Sequence, residues 1–165
     1  MRDGPVSSCP RTAESADNID PKLLWQMASE GRAIRFTARG RSMRPFILDG
    51  DRVTVMPARP DELRRLSIAL FTRDEGQPVL HRLVRTEIRN GHILLVTRGD
   101  RLLAPAETTP AANLLGRVVA IERRGRVMNP DSPLFRACAQ AWACFRGCVS
   151  AAHSLARFLR GRRLS

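Results

Sequence analysis

Apolar and polar positions change their period twice along the chain. Residues 1–19 are polar and show no repeat, which predicts a disordered tail. Asp20-Pro21 then reads as a helix N-cap followed by proline at the first helical position, and KLLWQMASE predicts a short helix that Gly31 stops. From Ala33 to Arg126 the pattern becomes a series of short β-branched runs: AIRFTA, DRVTVMPA, LSIALFT, PVLHRLVRTEI, HILLVT and LGRVVAIER. Alternation at a period of two is visible in Val53 and Val55, and again in Val79, His81 and Leu83. Asp49-Gly50, Glu75-Gly76, Asn90-Gly91 and Gly125 supply turn chemistry at the breaks. The expected fold class is mainly β, built from antiparallel hairpins.

A second break falls at Asn129-Pro130-Asp131-Ser132-Pro133. Beyond it Leu134, Cys138, Ala141, Phe145, Val149, Ala152, Leu155 and Leu159 recur at helical spacing, with Arg136, Arg146, Arg157 and Arg160 to one side of that stripe. The chain thus divides into a tail over 1–19, a β domain over 20–128 and a basic amphipathic helix or helix pair over 133–163. The apolar stripe suits either packing on the β domain or a partner helix, or a position in a membrane interface with the arginines on lipid phosphates.

A length of 165 residues suits one core, and composition narrows its content. Apolar residues make up 43% of the chain but aromatics only 5%, with no tyrosine, so Val, Leu, Ile and Ala must fill the interior. The formal net charge is +12, and every one of the 28 basic residues except Lys22 is arginine. Arginine stays protonated in proteins and cannot serve as a general base, which leaves Lys22 as the one candidate for a Ser-Lys dyad. The arginines are scattered and few aromatics lie among them for base stacking, so no specific nucleic-acid partner is expected. The cysteines, Cys9, Cys138, Cys144 and Cys148, form no CxxC pair, and no histidine stands at zinc-finger spacing. Neither a metal nor a cofactor is expected. The sequence has no uninterrupted apolar run of membrane-spanning length and no secretory-signal core at its start, which predicts a cytoplasmic or peripherally membrane-associated protein.

The candidate chemistry lies in GRSMRPFILDGDRVTV, Gly40 to Val55. Ser42 follows a predicted strand and precedes a tight Asp-Gly turn, which places a hydroxyl beside free backbone N–H groups, as an acyl-transfer nucleophile requires. On spacing alone, a serine in such a turn is more often a simple turn residue than a nucleophile. The string, with Gly40, Ser42, Met43, Pro45, Gly50 and Asp51, resembles the nucleophile box of the clan that contains signal peptidase I and the SOS-repressor peptidases. PVLHRLVR resembles its second box, LLVTRGD its third, and GRVVAIERRGR the strand that closes the domain. Where many members carry lysine this chain has His81-Arg82, which resembles the endoplasmic-reticulum and archaeal branch.

The resemblance implies a signal-peptidase-like β fold and cleavage of a peptide or protein substrate, such as a signal or leader peptide. Ser42 would be the nucleophile and His81 the general base, with Gly40, Met43 and Pro45 in the oxyanion and substrate loop. Asp100 is the favoured orienting acid; Glu107, or a dyad without an acid, is the alternative. The acidic stretch expected after the third box is here RLLAPAE. Asp49 and Asp51 read as turn residues that pin the loop, His92 and His153 as surface or interface residues, and Trp25 and Trp142 as packing anchors. Two other functions share the fold: a self-cleaving repressor-type peptidase and a non-catalytic binding module.

Overall fold

The computed structural model describes residues 20–161 apart from 74 and 75, with side chains described to residue 152. The expected tail over 1–19 and the side chains of His153, Arg157 and Arg160 lie outside the described residues. Helix α1 (Pro21–Ser29) is capped as its sequence predicts: the Asp20 side chain accepts from the Lys22 N–H at 2.9 Å, and Pro21 occupies the first turn. Lys22 is exposed on this helix and lines neither hollow that Ser42 borders.

Eight strands form one antiparallel sheet: β1 (Ile34–Thr37), β2 (Arg52–Met56), β3 (Ile68–Thr72), β4 (Pro78–Arg89), β5 (His92–Arg98), β6 (Ala106–Pro110), β7 (Leu114–Arg123) and β8 (Arg126–Met128). Their order is β1-β2-β7-β3-β4-β5-β6, with β8 paired to β7. Each β-branched run read from the sequence is a strand. The two additional ones are short: β8 closes a tight hairpin through Arg124-Gly125, and β6 lies between Pro105 and Pro110. Those prolines break the strand pattern in sequence, and an edge position tolerates them because the missing N–H faces no neighbour.

The core has two centres. The larger collects Leu24, Ile34, Phe36, Val53, Val55, Ile68, Leu70, Leu115, Val118 and Ile121, together with Met43 and Ile47 from the loop that bears Ser42. The smaller gathers Leu63, Ala69, Phe71, Leu83, Leu95 and Leu114. Strand β3 is buried throughout, so alternate residues serve opposite faces and both centres share it. Where β2 crosses β7, a Cβ on Gly116 would stand 2.2 Å from the Met56 carbonyl oxygen, so only glycine allows this approach.

After the break at Asn129 the chain forms one helix, α2 (Pro133–Gly161), rather than a pair. Its packed face differs from the predicted stripe. Phe135, Ala139, Trp142, Ala143, Arg146 and Val149 are buried or half-buried, whereas Cys138 and Ala141 are exposed and Leu134 and Phe145 are 76% and 52% exposed. The reason is polar. Arg146, expected on the solvent side, finds backbone carbonyl oxygen beneath the helix, and Trp142 offers both a large ring and an N–H that needs a partner. Apolar content alone misjudged which stripe faces inward.

Candidate active site

The segment between β1 and β2 is drawn closed at its neck. The Ala38 N–H donates to the Asp51 carbonyl at 2.7 Å and the Gly50 N–H to the Ala38 carbonyl at 2.9 Å. Gly50 makes the final turn at φ +88°. Inside the loop, Asp49 accepts from the Gly40 N–H at 2.9 Å and Asp51 from the Leu48 N–H at 2.7 Å. Asp51 is also gripped by Arg123, Nε to Oδ1 at 2.9 Å and Nη2 to Oδ2 at 2.7 Å, and Arg123 Nη2 donates to the Phe46 carbonyl at 3.0 Å. Both aspartates thus hold backbone, as their positions beside the turn predict. Met43 and Ile47 anchor the loop in the core, leaving Ser42 exposed above them. Pro45 follows a cis peptide bond and is exposed at the far side of the loop.

His81 comes from β4, opposite Ala69 of β3, and is 5% exposed. Its ring meets Phe71 edge-on at 5.9 Å between centroids. Its Nδ1 is buried without a hydrogen-bond partner, and the nearest carboxylate oxygen is Oε2 of Glu107, 3.6 Å away on β6. Both Glu107 oxygens accept from Arg73 Nη2 at 2.7 Å. Burial holds the imidazole pKa below its ordinary 6.5; Glu107 opposes that shift, Arg73 reinforces it and Asp100 weakly opposes it. The ring is therefore neutral at neutral pH, with a lone pair available to take a proton.

The structure places Asp100 differently from the sequence expectation. Its carboxylate forms a bidentate pair with Arg82, at 2.8 Å from Nε and 2.6 Å from Nη2, and both side chains are almost fully buried. Arg82 further donates to the Leu66 carbonyl at 2.7 Å and lies over the Phe46 ring at 4.8 Å. A carboxylate that must neutralise a buried guanidinium is already committed, so the acid facing the free His81 nitrogen is Glu107. Adjacent strand residues point to opposite faces, which is why His81 and Arg82 part company.

Gly99 joins the two sides. A Cβ there would lie 2.7 Å from the Ser42 carbonyl oxygen and 3.4 Å from His81 Nε2, so a side chain at 99 would press on both residues. The next turn secures the contact, because the Arg101 N–H donates to the Ser42 carbonyl at 2.8 Å. Ser42 and His81 also line the same two hollows. One, of about 210 Å³, is walled by Phe36, Ala38, Gly40, Met43, Val79 and Leu80 among others. The other, of about 590 Å³, lies toward Arg41, Arg101, Leu102, Leu103 and Glu107. Arg73 borders both.

The first hollow runs between two free strand edges. Among the described residues, strand β1 pairs only with β2, and the Pro78–His81 stretch of β4 pairs with β3 but not with β5, whose ladder begins at Arg82. Of the residues singled out from sequence, Ser42, His81, Gly40 and Met43 meet here; Asp100 stands behind Gly99, and Pro45 borders neither hollow. His92 is exposed on β5 next to the Asn90-Gly91 turn. Arg73, Gly99 and the inward role of Arg146 carried no local signal. Arg73 sits at a hairpin end among many arginines, and a glycine between Arg98 and Asp100 reads as a turn.

Among known proteins, the Peptidase S24-like family model matches residues 9–119. No curated protein and no solved structure matches the chain.

Proposed function

Since the chain belongs to the Peptidase S24-like family, we propose that it is a serine endopeptidase of signal-peptidase type, cleaving a peptide or protein by acyl transfer to Ser42. The observation that carries this reading is the meeting of an exposed serine and a buried, neutral imidazole across Gly99. His81 Nε2 takes the Ser42 hydroxyl proton as Oγ attacks the scissile carbonyl. The imidazolium then gives that proton to the leaving amine, and water, deprotonated by the same ring, hydrolyses the ester and restores the serine. Glu107 is the acid that faces the imidazolium at Nδ1, 3.6 Å away, and a small rotation brings it within hydrogen-bond range once charge develops there.

The substrate lies extended in the hollow between β1 and β4, taking backbone hydrogen bonds from both free edges, as an added strand does. The walls from Ala38, Met43, Val79 and Leu80 favour small apolar side chains beside the nucleophile. Signal or leader peptides fit that description, being extended and small at the cut. A peripheral membrane contact through α2 would bring the site to such substrates. It is favoured by exposed Leu134 and Phe145 on the outer face of that helix and by the net charge of +12. Flotation with anionic vesicles, lost with neutral ones or in high salt, supports that contact.

The deciding experiment is labelling with a fluorophosphonate probe, which phosphonylates only activated serines, with loss of fluoride. Wild type is expected to label at neutral pH, with Ser42→Ala and His81→Ala both silent. A folded wild type that does not label sinks the peptidase reading in favour of a binding module, while mass-spectrometric detection of cleavage within the chain itself points to the self-cleaving repressor type.

A further inference from the structure

Helix α2 lies beyond the stretch that the family model matches, yet it reaches the catalytic centre from behind. Two of its side chains act on consecutive backbone carbonyls of the turn after β5. Trp142 Nε1 donates to the Asp100 carbonyl at 2.8 Å, and Arg146 donates to the Gly99 carbonyl. Arg146 is 7% exposed, and Ala139, two turns earlier, is 1% exposed, so the helix sits directly on this turn. Burying a guanidinium is costly, and burial indeed lowers the Arg146 pKa despite the opposing field of Asp100. A charge kept there against that cost needs a reason, and the carbonyl it holds belongs to the glycine whose missing side chain leaves room for Ser42 and His81.

The front of the same turn is equally tied. The Arg101 N–H bonds the Ser42 carbonyl, and Asp100 is locked by Arg82. The turn at 99–101 is therefore held by α2 on one side and holds the nucleophile on the other. We infer that Trp142 and Arg146 are positioning residues, through which α2 fixes the Gly99–Arg101 turn and so the separation of Ser42 from His81. The inference rests on the proposed acyl-transfer pair for its catalytic consequence, but the mechanical link it describes exists without it.

The test uses full-length protein carrying Trp142→Phe, which keeps the ring and removes the N–H, and Arg146→Met. Ala137→Gln, exposed on the same helix, is the control. The first readout is the His81 imidazole, titrated by NMR; Arg73, Glu107 and Asp100 are the charged groups that surround it. Trp142→Phe changes no charge, so a movement of the midpoint by about half a pH unit or more toward 6.5 reports water entering a loosened site. The second readout is amide exchange of Arg101, expected to quicken about tenfold or more as its bond to Ser42 opens more often. The third is the rate of probe labelling at Ser42, expected to fall between about tenfold and a hundredfold in both variants and not in Ala137→Gln. Should Arg146→Met fail to fold, Arg146→Lys, which keeps the charge but not the reach of the fork, takes its place.

An unchanged midpoint together with unchanged exchange in Trp142→Phe and the Arg146 variant overturns the inference, whatever the labelling shows. A wild type that never labels counts against the peptidase reading alone, because the titration and the exchange still decide whether α2 holds the turn.

Discussion

At the scale of single residues, the site is governed by three charges around one imidazole. Burial depresses the His81 pKa below 6.5, so the base form is retained as the solution is acidified toward that value and is lost only below it. Removing Arg73 takes away a positive neighbour, and Arg73→Gln is expected to move the acid limb of the labelling rate to higher pH. Glu107→Gln should move it lower still than in wild type, since the carboxylate favours the imidazolium, and should also slow labelling by about tenfold or more. The pH profile of labelling distinguishes the two by the sign of the shift. The same depression couples to stability: the unfolded chain binds the proton more readily, so the folding stability that His81 contributes is complete above 6.5 and declines as pH falls through the lowered midpoint. Gly99 is the sharpest residue-level prediction. Gly99→Ala sets a methyl against the Ser42 carbonyl at 2.7 Å and should cut labelling about a hundredfold while costing roughly 1–3 kcal/mol by overpacking. Comparing the loss of rate with urea melts separates the two effects.

At the scale of elements, the strands and turns were written in local pattern, whereas the site was written partly in pairings that no local pattern carries. Val53 and Val55 alternate into the core, Asn90-Gly91 turns β4 into β5 with both residues at positive φ, and Asp20-Pro21 opens α1. The loop that bears Ser42 was legible for the same reason: Gly40, Asp49, Gly50 and Asp51 need particular backbone angles and hydrogen bonds, and those demands show as residue type. The orienting acid was not. Asp100 looks the better candidate in sequence because it sits in the third box, but Arg82 takes its carboxylate, and Glu107 faces His81 because β6 pairs with β5 in the register Thr97 to Glu107. Register across a proline-bounded edge strand is a tertiary fact. The loop itself should be sensitive at its clasp. Asp51→Ala strands Arg123 against the Phe46 carbonyl and is expected to cost roughly 1–3 kcal/mol, with Arg123 partly exposed and so able to recover some hydration. A thermal melt of this variant beside Asp49→Ala, whose partner Gly40 is exposed, should show the larger loss for Asp51.

At the scale of the whole molecule, the sheet leaves its site at a gap rather than in a pit. No described helix is long and apolar enough to cross a membrane, and the opening between β1 and β4 lies at the surface of the sheet. That opening has a consequence for what a peptidase of this shape would cut in a crowded cell. Two free edges receive only backbone that has surrendered its own hydrogen bonds, so the effective substrate is the fraction of a target whose segment has come undone. The rate against any folded protein then follows the free energy of that local opening: each additional 1.4 kcal/mol of stability in the target lowers cleavage by about a factor of ten, with no change in the residues at the cut. Selection between two identical cleavage sequences would be made by the stability of the proteins that carry them.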